Sequence, residues 1–122
     1  MRREETERYF MIEQGHWCNQ GRRAVVRAWI RRCRPLAPGE VHVDVGAFAG
    51  VMVLEMSGEG LSFGVEPSPE GLAMARRAGA ASRLVRGRAE DLPLADHSAA
   101  VVTCMDGYQM ARHGRAGAAL TT

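Results

Sequence analysis

Two carboxylates and a pair of glycines are the residues of this chain best suited to chemistry. Asp44 is followed by Gly46 and Gly50 in the segment VHVDVGAFAG, Val41 to Gly50, and Glu66 stands 20 residues after Gly46. Glycines at a strand-to-helix turn let a ligand approach the backbone, and the amides that open the helix donate to its polar groups. A carboxylate at about that separation, at the end of the next strand, reaches ribose hydroxyls. Two strand ends would then converge on one nucleoside. A dinucleotide is not indicated, because its fingerprint needs glycine at the first, third and sixth positions counted from Gly46, and those positions hold Gly46, Phe48 and Val51. Nor is a metal: Cys18, Cys33 and Cys104 are odd in number and in no C-x-x-C arrangement, and His16 has no paired spacing with them. Free thiols in a reducing compartment are expected.

The elements that must position these residues are legible from the spacing of apolar side chains. Val41, Val43 and Val45 alternate with His42 and Asp44 up to Gly46, as a strand ending at a turn does. Gly50 to Ser57 reads as a short helix with Val51, Leu54 and Met52 inward, and Leu61 to Glu66 as the second strand. Pro67-Ser68-Pro69 then breaks the chain. Ser68 is a natural N-cap and Pro69 a favoured first helical residue, so the next helix carries Leu72, Ala73, Ala75 and Ala78 inward and stops at Gly79. A third strand is expected from Ser82 to Val85. After it come Gly87, a polar loop through Asp91-Leu92-Pro93, and a fourth strand from Ala99 to Met105. Alternating strands and helices of this length imply an α/β fold, a Rossmann-like doubly wound parallel sheet with right-handed crossovers.

Upstream, Val25, Val26, Trp29, Ile30 and Cys33 recur at spacings of three and four between Gly21 and Arg34, which predicts an amphipathic helix stopped by Pro35. All 16 basic residues are arginines, and Arg22, Arg23, Arg27, Arg31, Arg32 and Arg34 fall in this one stretch, where they are expected to form the solvated face. A net charge of +2 gives no reason to expect a nucleic-acid partner. The 122 residues, 46% hydrophobic and 25% charged, suit a single domain. Its parts are an N-terminal helical segment over 1–38, a β/α core over 39–106 and a weakly ordered end over 107–122. No apolar run is long enough to span a bilayer and MRREETERYF is no secretory leader, so a cytoplasmic protein without a membrane partner is expected.

Three segments in order carry a family resemblance. VHVDVGAFAG resembles motif I of the class I S-adenosylmethionine-dependent methyltransferases, FGVEPSPEGLAMARRAG resembles their second-strand motif, and VRGRAEDLPLADHSAAVVTCMD resembles their adenine-binding loop and fourth strand. HWCNQGRRAVVRAWIRR looks like the helix that precedes motif I in many small bacterial members of the type 11-like group. The resemblance implies S-adenosyl-L-methionine as cofactor. Asp44, Gly46 and Gly50, with Ala47 and Phe48 between them, would surround its methionine part. Glu66, followed by Pro67, would bind the ribose hydroxyls; Ala89, Glu90 and Asp91 would frame the adenine; Met105 and Asp106 would lie near the transferable methyl. No catalytic side chain is implied, because a sulfonium is already a good leaving group and the rate comes from alignment and exclusion of water. A small-molecule methyl acceptor is expected. Taken singly, Gly46 and Gly50 are equally turn glycines, and Glu66 or Glu90-Asp91 equally solvated polar groups.

The sequence also departs from the pattern. Phe48 stands at the middle glycine of motif I, where a bulky side chain is expected to clash with the methionine part of the cofactor. Arg88 stands where an Asp is usual, Ala99-Ala100 where Phe-Asp is usual, and Asp106-Gly107-Tyr108-Gln109 differs from the usual continuation. Four strands are readable where the family's sheet has seven, so the chain reads as truncated after the fourth. That leaves Ala99 to Val102 as an open edge and a template for pairing with a second copy or a complementing chain. The alternative reading is therefore a catalytically inactive module that acts through that edge.

Overall fold

The computed structural model describes Glu4 and residues 17–105. His16, Asp106 and the end over 107–122 lie outside the described residues. The elements are α1 (Trp17–Cys33), β1 (Val41–Val45), α2 (Val51–Met56), β2 (Leu61–Glu66), α3 (Pro69–Ala78), a 3-10 turn (Ala81–Arg83), β3 (Leu84–Arg86) and β4 (Val101–Thr103). The strands form one parallel sheet in the order β3-β2-β1-β4. The chain winds outward from β1 through β2 to β3 and then crosses back to place β4 on the other side of β1. This reversal is the topological switch point of a doubly wound sheet, beyond whose strand ends ligands bind.

Local chemistry sets most of the boundaries. Ser68 Oγ caps α3 by accepting from Gly71 N at 3.0 Å, Pro69 is its first residue, and Gly79 ends it in the left-handed conformation at φ 82°. The third strand begins two residues later than expected and ends one later, at Arg86. Residues 81–83 close a 3-10 turn, and only Leu84, Val85 and Arg86 meet Gly64, Val65 and Glu66. The fourth is shorter than expected, since only Val101, Val102 and Thr103 pair with His42, Val43 and Asp44.

Strand alternation divides the core in two. Val43, Val45 and Val65 face one side, where Ala89, Leu92, Leu94, Ala99 and Val102 pack on them. On the other side Ile30 of α1 meets Met52 and Met56 of α2, with Val26, Leu36, Val101 and Met105 around them. Met52, Met56 and Met74 are all buried core residues.

The orientation of α1 corrects the expectation of an apolar inner face and an arginine outer face. Val26 and Ile30 point inward, but Val25 and Trp29 are 63% and 67% exposed, Cys33 is exposed, and Arg23 is buried. The reason lies in the partner helix. The five apolar residues form two stripes, 26-30 and 25-29-33, about 100° apart on a helix of 3.6 residues per turn. The arginine stripe 23-27-31 flanks the first. The neighbouring helix and its end present Glu55 and Glu59 beside Met52 and Met56, and Arg23 and Arg27 pair with Glu55 while Arg31 pairs with Glu59. The carboxylates draw that stripe in and leave 25-29-33 outside. There Val25, Ala28, Trp29, Arg32 and Cys33 line an open concavity of about 400 Å³.

Candidate nucleoside site at the strand ends

Where β1 ends, the backbone turns back over β2. Gly46 N and Ala47 N both donate to Val65 O, at 2.8 and 3.0 Å, and Gly50 N donates to Ala47 O at 2.9 Å. The turn needs positive φ at three positions: Gly46 at 75°, Phe48 at 51° and Gly50 at 81°. Phe48 therefore takes up a left-handed backbone conformation, at a cost of roughly 1–2 kcal/mol for a residue with a Cβ. Its consequence is an amide aimed at a carboxylate, for Phe48 N donates to Glu66 Oε1 at 2.7 Å.

Glu66 is no solvated strand end. It is 2% exposed, and Oε2 accepts from Ser68 N at 3.0 Å and from Ser68 Oγ at 2.7 Å. Together with the Phe48 amide these are three donors, where a carboxylate offers about four acceptor positions. Gly71 allows the close fit, since a Cβ there would lie 2.9 Å from Glu66 Cγ. Gly87 N donates to Glu66 O at 3.2 Å and brings the following loop to the same place.

A Cβ on Gly50 would stand 2.8 Å from Ala80 Cβ and 3.0 Å from Leu84 Cδ1, so this glycine serves the packing of the turn against the start of β3. Gly64 in β2 does the same beneath the turn, 2.6 Å from Ala47 Cβ by the same construction. Ala47 is buried there, and Pro67 is half-buried beyond Glu66.

Asp44, 5% exposed, accepts from Thr103 Oγ1 at 2.7 Å. Behind it lies a group that motif reading passes over. His42 is fully buried, with Nδ1 2.7 Å from Ser62 Oγ and Nε2 2.8 Å from Thr103 Oγ1. Burial pushes its pKa down to about 4. The one signal in the sequence was an ionisable ring in a strand otherwise built of valines around Asp44.

The strand ends thus bring together Asp44, Gly46, Phe48, Glu66 and Gly87. The remaining expected residues are placed differently. Ala89 packs on the Val43, Val45 and Val65 core, while Glu90 and Asp91 are exposed in a turn closed by Asp91 N to Arg88 O at 3.2 Å. Met105 packs with Ile30, Met52 and Met56. Among the described residues no three His, Cys, Asp or Glu side chains gather as a metal would need, and no helix is long and apolar enough to cross a membrane.

The sequence matches the model of the methyltransferase domain family over residues 43–118. No curated protein matches significantly. Among solved structures, one chain of the complex between the Haloferax volcanii Trm112 methyltransferase activator and a methyltransferase is similar at 25% identity and a TM-score of 0.64, over 86% of this chain and 45% of that one. The YcgJ protein of Bacillus subtilis is similar at 26% identity and a TM-score of 0.57, over 74% of this chain and 39% of its own. A SAM-dependent methyltransferase of Geobacter sulfurreducens, solved with S-adenosyl-L-homocysteine, has a similar fold at 23% identity and a TM-score of 0.54, over 84% and 45%. The chain spans less than half the length of each of these three.

Proposed function

The chain belongs to the methyltransferase domain family, and from that premise we propose that it binds S-adenosyl-L-methionine at the strand ends and serves transfer of its methyl group to a small-molecule acceptor. The observation that carries this reading is Glu66: a carboxylate held at the end of β2 by three donors, with one acceptor position left beside the Gly46–Gly50 turn. A ribose hydroxyl is the donor that suits it. The Phe48 amide closes over Glu66, so the approach of a ribose requires the turn to shift by the width of that hydrogen bond. Asp44 presents a carboxylate at the switch point, where it suits the amino group of the methionine part. Ala89, on the apolar core beside Gly87, suits the adenine face, with Glu90 and Asp91 at its solvent side.

When bound, the cofactor supplies an electrophilic methyl on a sulfonium. The chain's own part is to orient and to exclude water, which converts a bimolecular encounter into an aligned one. Titration calorimetry with S-adenosyl-L-homocysteine tests the reading. Saturable heat is expected with the wild-type chain, and a loss of about tenfold or more in affinity with Glu66→Ala. A folded chain that gives no heat at millimolar ligand overturns it.

A second reading is favoured by β4. It pairs with β1 on one side, and among the described residues no strand pairs with its other side. An open strand edge is a template for a second copy or a complementing chain. The Haloferax volcanii methyltransferase solved with a protein activator supports a protein partner in this fold. Light scattering over a range of concentrations is expected to report a dimer that dissociates on dilution; a monomer at every concentration removes self-pairing.

A further inference from the structure

The polar groups behind Asp44 have a fixed direction of proton donation. Thr103 Oγ1 carries one hydrogen and gives it to Asp44 Oδ1 at 2.7 Å, so toward His42 it can only accept. His42 Nε2, 2.8 Å away, must therefore carry the ring proton. A neutral imidazole has a single N–H, which leaves Nδ1 bare, and Ser62 Oγ at 2.7 Å must donate to it. The order is Ser62 to His42 to Thr103 to Asp44. These residues face one another because β1 is central: His42 is in register with Ser62 on β2, and Asp44 with Thr103 on β4. The whole chain of bonds is buried or half-buried, where each bond polarises the next.

We propose that Ser62, His42 and Thr103 are positioning residues that fix the Asp44 carboxylate for the cofactor by this one-way chain of hydrogen bonds across β2, β1 and β4. The proposal rests on the reading that Asp44 faces the cofactor. A carboxylate at a binding turn is useful only when its rotamer is held by a supporting shell, and here Thr103 bonds it directly and His42 and Ser62 bond in line behind Thr103. Nothing in the nucleoside pattern demands a histidine at position 42, and a valine there would leave Thr103 without its donor.

Two measurements on the full chain test it. In calorimetry with S-adenosyl-L-homocysteine, Thr103→Val, which keeps the shape and removes the hydroxyl, is expected to weaken binding about tenfold, and Thr103→Ser to stay within about twofold of wild type. In nitrogen-15 NMR of the histidine ring, wild-type His42 is expected as the neutral tautomer with the proton on Nε2 at about pH 6. That signature does not depend on any ligand and reads the direction of donation alone, while the Thr103 pair of variants reads the positioning role. A wild-type chain that binds while Thr103→Val binds equally well overturns the positioning role and leaves the cofactor reading standing. A ring protonated on Nδ1 overturns the order of donation. A wild-type chain that shows the Nε2 proton but binds nothing at millimolar ligand overturns the cofactor reading and the positioning role with it.

Discussion

Lowering the pH below about 6.5 is expected to destabilise the fold through His42. The ring is fully buried and its pKa is pushed down from 6.5 to about 4, so the unfolded chain takes up a proton that the folded chain refuses. The contribution is fully present above pH 6.5 and drains away as the pH falls from 6.5 to about 4. At 1.36 kcal/mol per pH unit, those 2.5 units amount to roughly 3 kcal/mol, a large share of the 5–15 kcal/mol by which small domains are stable. Urea unfolding followed by circular dichroism at a series of pH values between about 7 and 4.5 measures it. His42→Gln is the control, because an amide can accept from Ser62 and donate to Thr103 without titrating. The wild-type chain is expected to lose stability steeply across this window and the variant to stay nearly level. Glu40 does not confuse the result. Arg34, bonded to it at 2.6 and 2.9 Å, holds its carboxyl down at about 2, so its contribution is lost only as the pH falls from 4.5 toward 2. Parallel pH profiles for wild type and His42→Gln would refute the reasoning.

Three further outcomes are expected. Gly50→Ala forces a Cβ onto Ala80 and Leu84 at φ 81°, so urea unfolding should show a loss of about 2 kcal/mol or more, from strain and overpacking together. Glu55→Ala removes the carboxylate that pairs with the buried Arg23 and with Arg27 and should cost about 2 kcal/mol, whereas Glu59→Ala, facing a half-exposed Arg31, should cost under about 0.5 kcal/mol; thermal melts of the two variants compare them directly. Ser68→Ala removes both the cap of α3 and a donor to Glu66, so it should lower stability by about 1 kcal/mol and weaken S-adenosyl-L-homocysteine in calorimetry.

What could be read beforehand followed from side chains whose effect is local. The alternation of Val41, Val43 and Val45, the Ser68-Pro69 start and Gly79 stop of α3, and Glu66 at a strand end each determine structure within a few residues of themselves. What could not be read depends on partners distant in sequence. Two apolar stripes on α1 were equally available, and the choice between them was made by Glu55 and Glu59 on another segment. That Gly50 packs on Ala80 and Leu84, thirty or more residues on, could not be seen from the turn alone. The left-handed backbone at Phe48 and the bond from its amide to Glu66 depend on how the turn folds back over β2, which the residue type alone does not give. His42 looked like the polar half of an alternating strand, and only the parallel register with Ser62 and the return of Thr103 beside Asp44 give it a task.

The most direct test of the cofactor site is an amide-resolved NMR titration of the chain with S-adenosyl-L-homocysteine. Saturable shifts are expected at Gly46, Phe48, Glu66 and Gly87, where the turn must give way to a ribose, with Val25 and Trp29 on the far face of α1 unmoved. A folded spectrum that does not change at millimolar ligand, or changes only away from those strand ends, would contradict it.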